Sequence, residues 1–217
     1  MVLHGIAWCC THSIHPLWCK NILVKIFSCW LHGIASIRSA HHCDKICFSQ
    51  SLAFRGRSCQ HLKEYLEFKM VPETPIISNL MKECLQSRYL CDIGILVTNA
   101  HSTDGPWHRD TYNLNGPSNP DGSYDDSLVM KLKPFYYTCL IPLNNITEAN
   151  GRTEFIQGSH RLTWNEAKGK EWVKHDVKAG SIVVFDGRMF HRACAHPSNH
   201  PRQMIYLVFH RDWYVDV

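Results

Sequence analysis

A mainly-β fold, a sandwich or barrel with a few flanking helices, is what this sequence predicts, on three observations. Six short β-rich runs crowd the chain after Asp92, at residues 93–98, 135–142, 152–157, 172–177, 181–185 and 203–209. Turn formers such as Asn150-Gly151, Gly158-Ser159, Ala179-Gly180 and Pro201 separate them, and short strands cut by such turns build sandwiches and barrels. Helical periodicity is confined to residues 61–88.

Composition bounds the rest. The 217 residues fit one domain with an extension, and 45% apolar content with seven Trp can fill a sizeable core. The net charge of +4 is unevenly placed. Residues 1–60 carry six basic side chains against the single acid Asp44, a balance of +5. The remainder has 17 basic and 18 acidic residues and is near neutral. It therefore lacks the basic footprint of a nucleic-acid binder. Seven of the eleven cysteines also precede residue 60, in no regular disulfide spacing. Free thiols predict a reducing compartment, the cytoplasm.

Along the chain, residues 1–60 read as an atypical Cys/His-rich extension, disordered or arising from an incorrectly assigned start. Its apolar run at residues 22–31 is interrupted by Lys25 and falls short of the roughly 20 residues that span a bilayer. The segment is basic, Ser-containing and acid-poor, so an organellar transit peptide is the better targeting reading. His41, His42, Cys43 and Cys47 could form a zinc cluster, but no second Cys-x-x-Cys pair completes it. The main domain is expected over residues 61–217. Helical spacing over residues 61–68 ends at Pro72 and Pro75, and residues 76–85 could restart a helix. The β runs follow, interrupted by the polar loop 115–123, a candidate rim over a pocket.

The chemistry sits at the ends of those runs. His108 and Asp110 form a His-x-Asp pair, and in an extended segment their side chains point the same way. His191 closes the apolar segment 183–191 about eighty residues later and is expected to approach from across the barrel. Two neutral imidazoles and one carboxylate can occupy one face of an octahedral Fe(II) and leave three positions open. Arg202 lies eleven residues beyond His191, where its planar fork could hold a dicarboxylate. Together these residues read as an iron- and 2-oxoglutarate-dependent oxygenase site. His160 reads as part of a structural turn. Trp107, Arg109 and Tyr112 flank the iron pair, where they could line a pocket or simply pack. His175, His196, His200 and His210 lack partners at ligand spacing.

From about residue 92 to 214 the chain resembles the phytanoyl-CoA dioxygenase family. The resemblance is carried by Trp107-His108-Arg109-Asp110, by the segment 150–160 running from Asn150-Gly151-Arg152 to Gly158-Ser159-His160, by 179–187 leading into Phe190-His191-Arg192, and by Pro201-Arg202 before the run 204–209. It implies a double-stranded β-helix, the cupin-like jelly roll. It further implies His108, Asp110 and His191 as Fe(II) ligands, Arg202 on the distal carboxylate of 2-oxoglutarate, and ascorbate as a candidate reductant. Thr138 is a second co-substrate candidate, since some relatives use a hydroxyl there. Leu140 stands where several relatives carry Trp. Asp110 separates the chain from the halogenase branch, so the implied reaction is hydroxylation of a small-molecule or lipid-like substrate, releasing succinate and CO2. The helical sequence that usually precedes the His-x-Asp strand is shortened here. The alternative is therefore a non-catalytic relic of the same fold, without a competent pocket. No stable membrane span and no nucleic-acid partner are expected, and the oligomeric state is left open.

Overall fold

The structure is a computed structural model that describes residues 68, 70–111 and 130–214, together with the backbone of residues 25–28 and 57–61. The N-terminal Cys/His cluster, the proposed targeting features, Tyr112 and the loop 115–123 lie outside the described residues.

Its strands are β1 (Lys25–Ser28), β2 (Arg57–His61), β3 (Tyr89–Thr98), β4 (Tyr136–Pro142), β5 (Thr153–Ile156), β6 (Trp172–Lys174), β7 (Ser181–Asp186), β8 (His191–Ala193) and β9 (Arg202–Arg211). Among the described residues the α-helices α1 (Pro75–Leu85) and α2 (Trp164–Ala167) accompany them. One sheet runs in the order β1-β7-β4-β9-β3-β2 and the other β6-β5-β8, every pairing being antiparallel. The two sheets face one another as a jelly roll.

Packing explains which runs became strands. β4 and β7 are buried along their whole length, because the larger sheet has a hydrophobic layer on each side. On its outer side Met81 and Leu85 of α1 meet Tyr137, Cys139, Ile141, Ile205 and Phe209. On its inner side Leu140, Val183, Phe185, Met204 and Tyr206 meet Phe155 of the smaller sheet. Strands covered on both faces need continuous apolar runs rather than alternation, as the segments at 136–142 and 181–186 supply. α1 starts with Pro in its first turn, where the missing N–H costs nothing, and stops at the left-handed residue Gln86 (φ 50°), whose N–H returns to the Lys82 carbonyl.

Three elements differ from expectation. His61, expected to open a helix, instead ends β2 and pairs with Gly94; the edge of β3 provides backbone partners that outweigh a weak local helical preference. The boundary expected after Gln60 consequently falls inside β2, and β1 also lies within the first sixty residues. β3 begins at Tyr89, not Ile93, because β9 pairs with it over ten residues. β6 stops at Lys174, since Asp176 turns to Arg152 (Oδ1 to Nε 2.6 Å) and Val177 pairs instead with Ile146. No helix among the described residues is long and apolar enough to cross a membrane.

Candidate metal centre

His108 and His191 are direct neighbours. Each backbone N–H donates to the other's carbonyl at 3.0 Å, an isolated antiparallel bridge. The expected approach of His191 from across the barrel is thereby corrected: the chain returns beside the His-x-Asp segment, and the two rings lie 4.3 Å apart. Asp110 is tied to the same turn, its N–H donating to the Gly187 carbonyl at 2.8 Å. Asp110 Oδ1 then lies 3.3 Å from His191 Nε2 and 3.8 Å from His108 Nε2. Ligand atoms of the three residues all fall within 4.8 Å of one another.

The histidine tautomers follow from their contacts. His108 Nδ1 lies 3.0 Å from the Pro106 carbonyl, and His191 Nδ1 lies 3.0 Å from the Met189 carbonyl. A carbonyl only accepts, so each Nδ1 carries the proton and, in the neutral ring, each Nε2 turns its lone pair to the centre. Metal-bound histidines are commonly fixed in this way. Phe155 stacks near the His191 ring at 5.9 Å and Phe185 meets it edge-on at 4.8 Å. His191 is buried, whereas half of the His108 side chain is open to solvent.

Burial would raise the Asp110 pKa, but the His191 charge, the hydrogen bonds from His191 and Thr138, and His108 together pull it below the usual value. For His191 burial pushes down, while the Asp110 charge and the bonds to Asp110 and Met189 lift it above the usual imidazole value. Without metal the pair favours a charged Asp110 carboxylate beside a protonated His191, and a cation would take the place of that proton.

The turn between β7 and β8 carries much of this geometry. Asp186 accepts from Arg188 through Nε at 2.8 Å and Nη2 at 2.5 Å, and from its backbone N–H at 3.0 Å. The Arg188 side chain is fully buried and also donates to the Leu132 carbonyl at 2.9 Å. Between the two charges sits Gly187, where a Cβ would lie 2.3 Å from the Tyr136 ring. This clamped turn presents the Gly187 and Met189 carbonyls that Asp110 and His191 use.

Thr138 joins the same group: its hydroxyl donates to Asp110 Oδ2 at 2.5 Å. Arg202 lies elsewhere on the inner face. It is buried at the start of β9, opposite Thr98, and donates to the Gly151 carbonyl and, at 3.0 Å, to the Thr98 hydroxyl. A largely apolar cavity runs inside the barrel between the sheets. Its lining includes Leu140, two residues from Thr138, and Met204, two residues from Arg202.

Of the flanking residues, Arg109 and Trp107 pack against neighbouring elements. Arg109 donates to the Ser159 and Leu162 carbonyls and lies over the Phe190 ring at 4.1 Å. Trp107 packs near Trp164, 6.4 Å between rings. The turn at His160 is structural, with Ser159 Oγ accepting from the Phe190 N–H at 2.8 Å. His175 lines the apolar cavity. Sequence reasoning missed Thr98, Gly151 and the Asp186–Arg188 clamp. A signal existed only for the clamp, as two opposite charges placed two residues apart beside an apolar run.

Two facing antiparallel sheets with a His-Asp-His group at one end define the cupin-like jelly roll of metal-dependent oxygenases. The chain belongs to the phytanoyl-CoA dioxygenase family, whose model matches residues 34–204. Solved structures share the fold at low identity. HygX from Streptomyces hygroscopicus, with nickel and 2-oxoglutarate bound, superposes with a TM-score of 0.73 at 12% identity, over 94% of this chain and 89% of that one. The α-ketoglutarate-dependent epimerase SnoN of nogalamycin biosynthesis has a TM-score of 0.69 at 14% identity, covering 89% and 79%. The carbocyclase SnoK of the same biosynthesis gives 0.69 at 15%, covering 92% and 85%.

Proposed function

We propose that this protein is an Fe(II)- and 2-oxoglutarate-dependent dioxygenase that hydroxylates a small-molecule or lipid-like substrate. The observation carrying this reading is the donor set: one imidazole nitrogen from each histidine and one carboxylate oxygen, mutually within 4.8 Å. Both imidazoles are held with Nδ1 toward backbone carbonyls. Nitrogen and oxygen donors without thiolate suit Fe(II), and three protein ligands leave three positions of an octahedron for other groups. His108, Asp110 and His191 would hold the iron. Iron held there would let dioxygen act as the oxidant: one oxygen atom would enter succinate as 2-oxoglutarate loses CO2, and the other would be inserted into an unactivated C–H of the substrate.

Arg202 is the candidate anchor for the distal carboxylate. A dicarboxylate reaching it would exchange neutral acceptors for charge-assisted, bidentate bonds, the stronger kind. The protein's remaining tasks are to orient the substrate and to keep water from the site. The apolar wall formed by Leu140, Val183, Phe155 and Met204 suits the second task. Support also comes from HygX, solved with nickel and 2-oxoglutarate, and from SnoN, solved with Fe3+, α-ketoglutarate and nogalamycin RO. Epimerase and carbocyclase relatives use the same fold, so the product has to be identified chemically.

The test is an anaerobic titration of the protein with Fe(II) and 2-oxoglutarate, followed by the visible charge-transfer band. The band is expected in wild type and absent in His108→Ala. Its absence from folded, iron-loaded wild type would refute the reading and favour a relic of the fold.

A further inference from the structure

We infer that Thr138 is a positioning residue that holds Asp110 to one-oxygen ligation and thereby keeps a third metal position open. This rests on the metal-centre reading above and deepens it.

The two oxygens of Asp110 have different surroundings. Oδ1 faces the imidazoles, at 3.3 Å from His191 Nε2 and 3.8 Å from His108 Nε2. Oδ2 accepts the Thr138 hydroxyl at 2.5 Å, within the range of a charge-assisted O–H···O bond. A threonine hydroxyl has one proton, and here it is directed at the carboxylate oxygen that does not face the histidines. The donor is well fixed. Thr138 is buried in the middle of β4, paired with Phe185 of β7 on one side and Val208 of β9 on the other. Its β-branched side chain has few rotamers to choose from. Asp110 is equally constrained from its backbone, through its N–H to the Gly187 carbonyl.

The consequence is a matter of counting coordination positions. A carboxylate can bind a cation through one oxygen or through both. Two histidines and a one-oxygen aspartate leave three positions of an octahedron, enough for a two-atom chelator and dioxygen together. A two-oxygen aspartate leaves two, and the chelator alone would fill them. By engaging Oδ2, Thr138 favours the first arrangement. This role also differs from that of a co-substrate anchor, since the hydroxyl proton is used on Asp110.

The experiment compares wild type, Thr138→Val, Thr138→Ser and Thr138→Ala, each checked for fold by circular dichroism. Co(II) affinity is measured first, without 2-oxoglutarate. The anaerobic Fe(II) and 2-oxoglutarate band is measured second. Thr138→Val should tighten Co(II) binding several-fold, because the freed Oδ2 becomes a second donor from the same carboxylate. With Fe(II) at saturation it should nevertheless weaken 2-oxoglutarate binding, and Thr138→Ser should restore both to wild-type values. Thr138→Ala should behave as Thr138→Val and serves in its place if the valine variant does not fold. Unchanged Co(II) affinity in the valine or alanine variant, with only 2-oxoglutarate binding weakened, would make Thr138 a co-substrate anchor and overturn the proposal. Wild type that binds Co(II) yet gives no band would refute the oxygenase reading, while the Co(II) comparison would still decide the role of Thr138. Folded wild type that binds no Co(II) would overturn both.

Discussion

Arg202 brings a proposed co-substrate role and a contribution to stability together in one side chain. Its guanidinium is buried, and its bonds go to the Gly151 carbonyl and the Thr98 hydroxyl, themselves buried. Arg202→Ala should therefore cost about 1–3 kcal/mol for each acceptor left unpaired, read as a lower denaturation midpoint. The same variant should raise the 2-oxoglutarate requirement by about tenfold or more, since one charge-assisted bond to a carboxylate is worth roughly 1.5–3 kcal/mol. An unchanged requirement would mean that another residue anchors the co-substrate. The candidacy of Arg202 was legible from its eleven-residue spacing after His191. Its partners were not, because Thr98 lies 104 residues away and only the pairing of β3 with β9 brings it there.

At the scale of elements, the turn joining β7 to β8 holds the candidate ligands Asp110 and His191 through the Gly187 and Met189 carbonyls. Its Asp186–Arg188 pair is buried, so breaking it leaves an uncompensated charge inside the protein. Arg188→Met should cost about 3–5 kcal/mol. It should also weaken Co(II) binding, because the Gly187 and Met189 carbonyls lose their support. Gly187→Ala is the gentler probe: its Cβ would meet the buried Tyr136 ring at 2.3 Å, an overpacking cost of about 1–3 kcal/mol. Calorimetric midpoints and Co(II) titrations of both variants check these values. Wild-type Co(II) affinity in both would show that the turn does not position the ligands. The strands themselves were readable. Residues 135–142 and 181–185 are continuous apolar runs, and both proved to be central strands covered on each face. The pairing of His61 in β2 was not readable, because an edge strand is chosen by its neighbour's free backbone and leaves little mark in side-chain pattern.

For the whole molecule, a ligand that binds only the folded state stabilises it by mass action. Metal at 100 times its dissociation constant contributes about 2.7 kcal/mol. At roughly 2–4 °C per kcal/mol for a chain of this size, wild type should gain about 5–11 °C with Ni(II) over EDTA. Asp110→Ala should stay folded and gain none of it, and an equal gain in that variant would refute the ligand assignment. The gain should also depend on pH. In the metal-free protein the Asp110 pKa is lowered and the His191 pKa is raised. The contribution of Asp110 is present above its unfolded value near 3.8 and is lost as pH falls through the lowered folded value. That of His191 is full below 6.5 and is lost as pH rises through the raised folded value. Metal needs the neutral imidazole, so the Ni(II)-induced gain should grow as pH rises through that same value. A gain that is flat between acid and neutral pH would argue that His191 is not a ligand.

The sequence by itself determined the fold class, most of the strand positions, α1 and the identity of the three candidate ligands. Those features are written in local order, as side-chain periodicity, turn residues and short motifs. The tertiary structure alone decided that His191 sits beside His108 in a backbone bridge, and that the Thr138 hydroxyl falls on Asp110. It also placed Arg202 on Thr98 and Gly151, and built a buried ion pair behind the metal turn. Each of these depends on which strand edge lies next to which, or on how a buried charge finds its partner. A hydrogen bond between residues 28 or 104 positions apart leaves no trace in local pattern, because burial and strand register create it only when the chain has closed on itself.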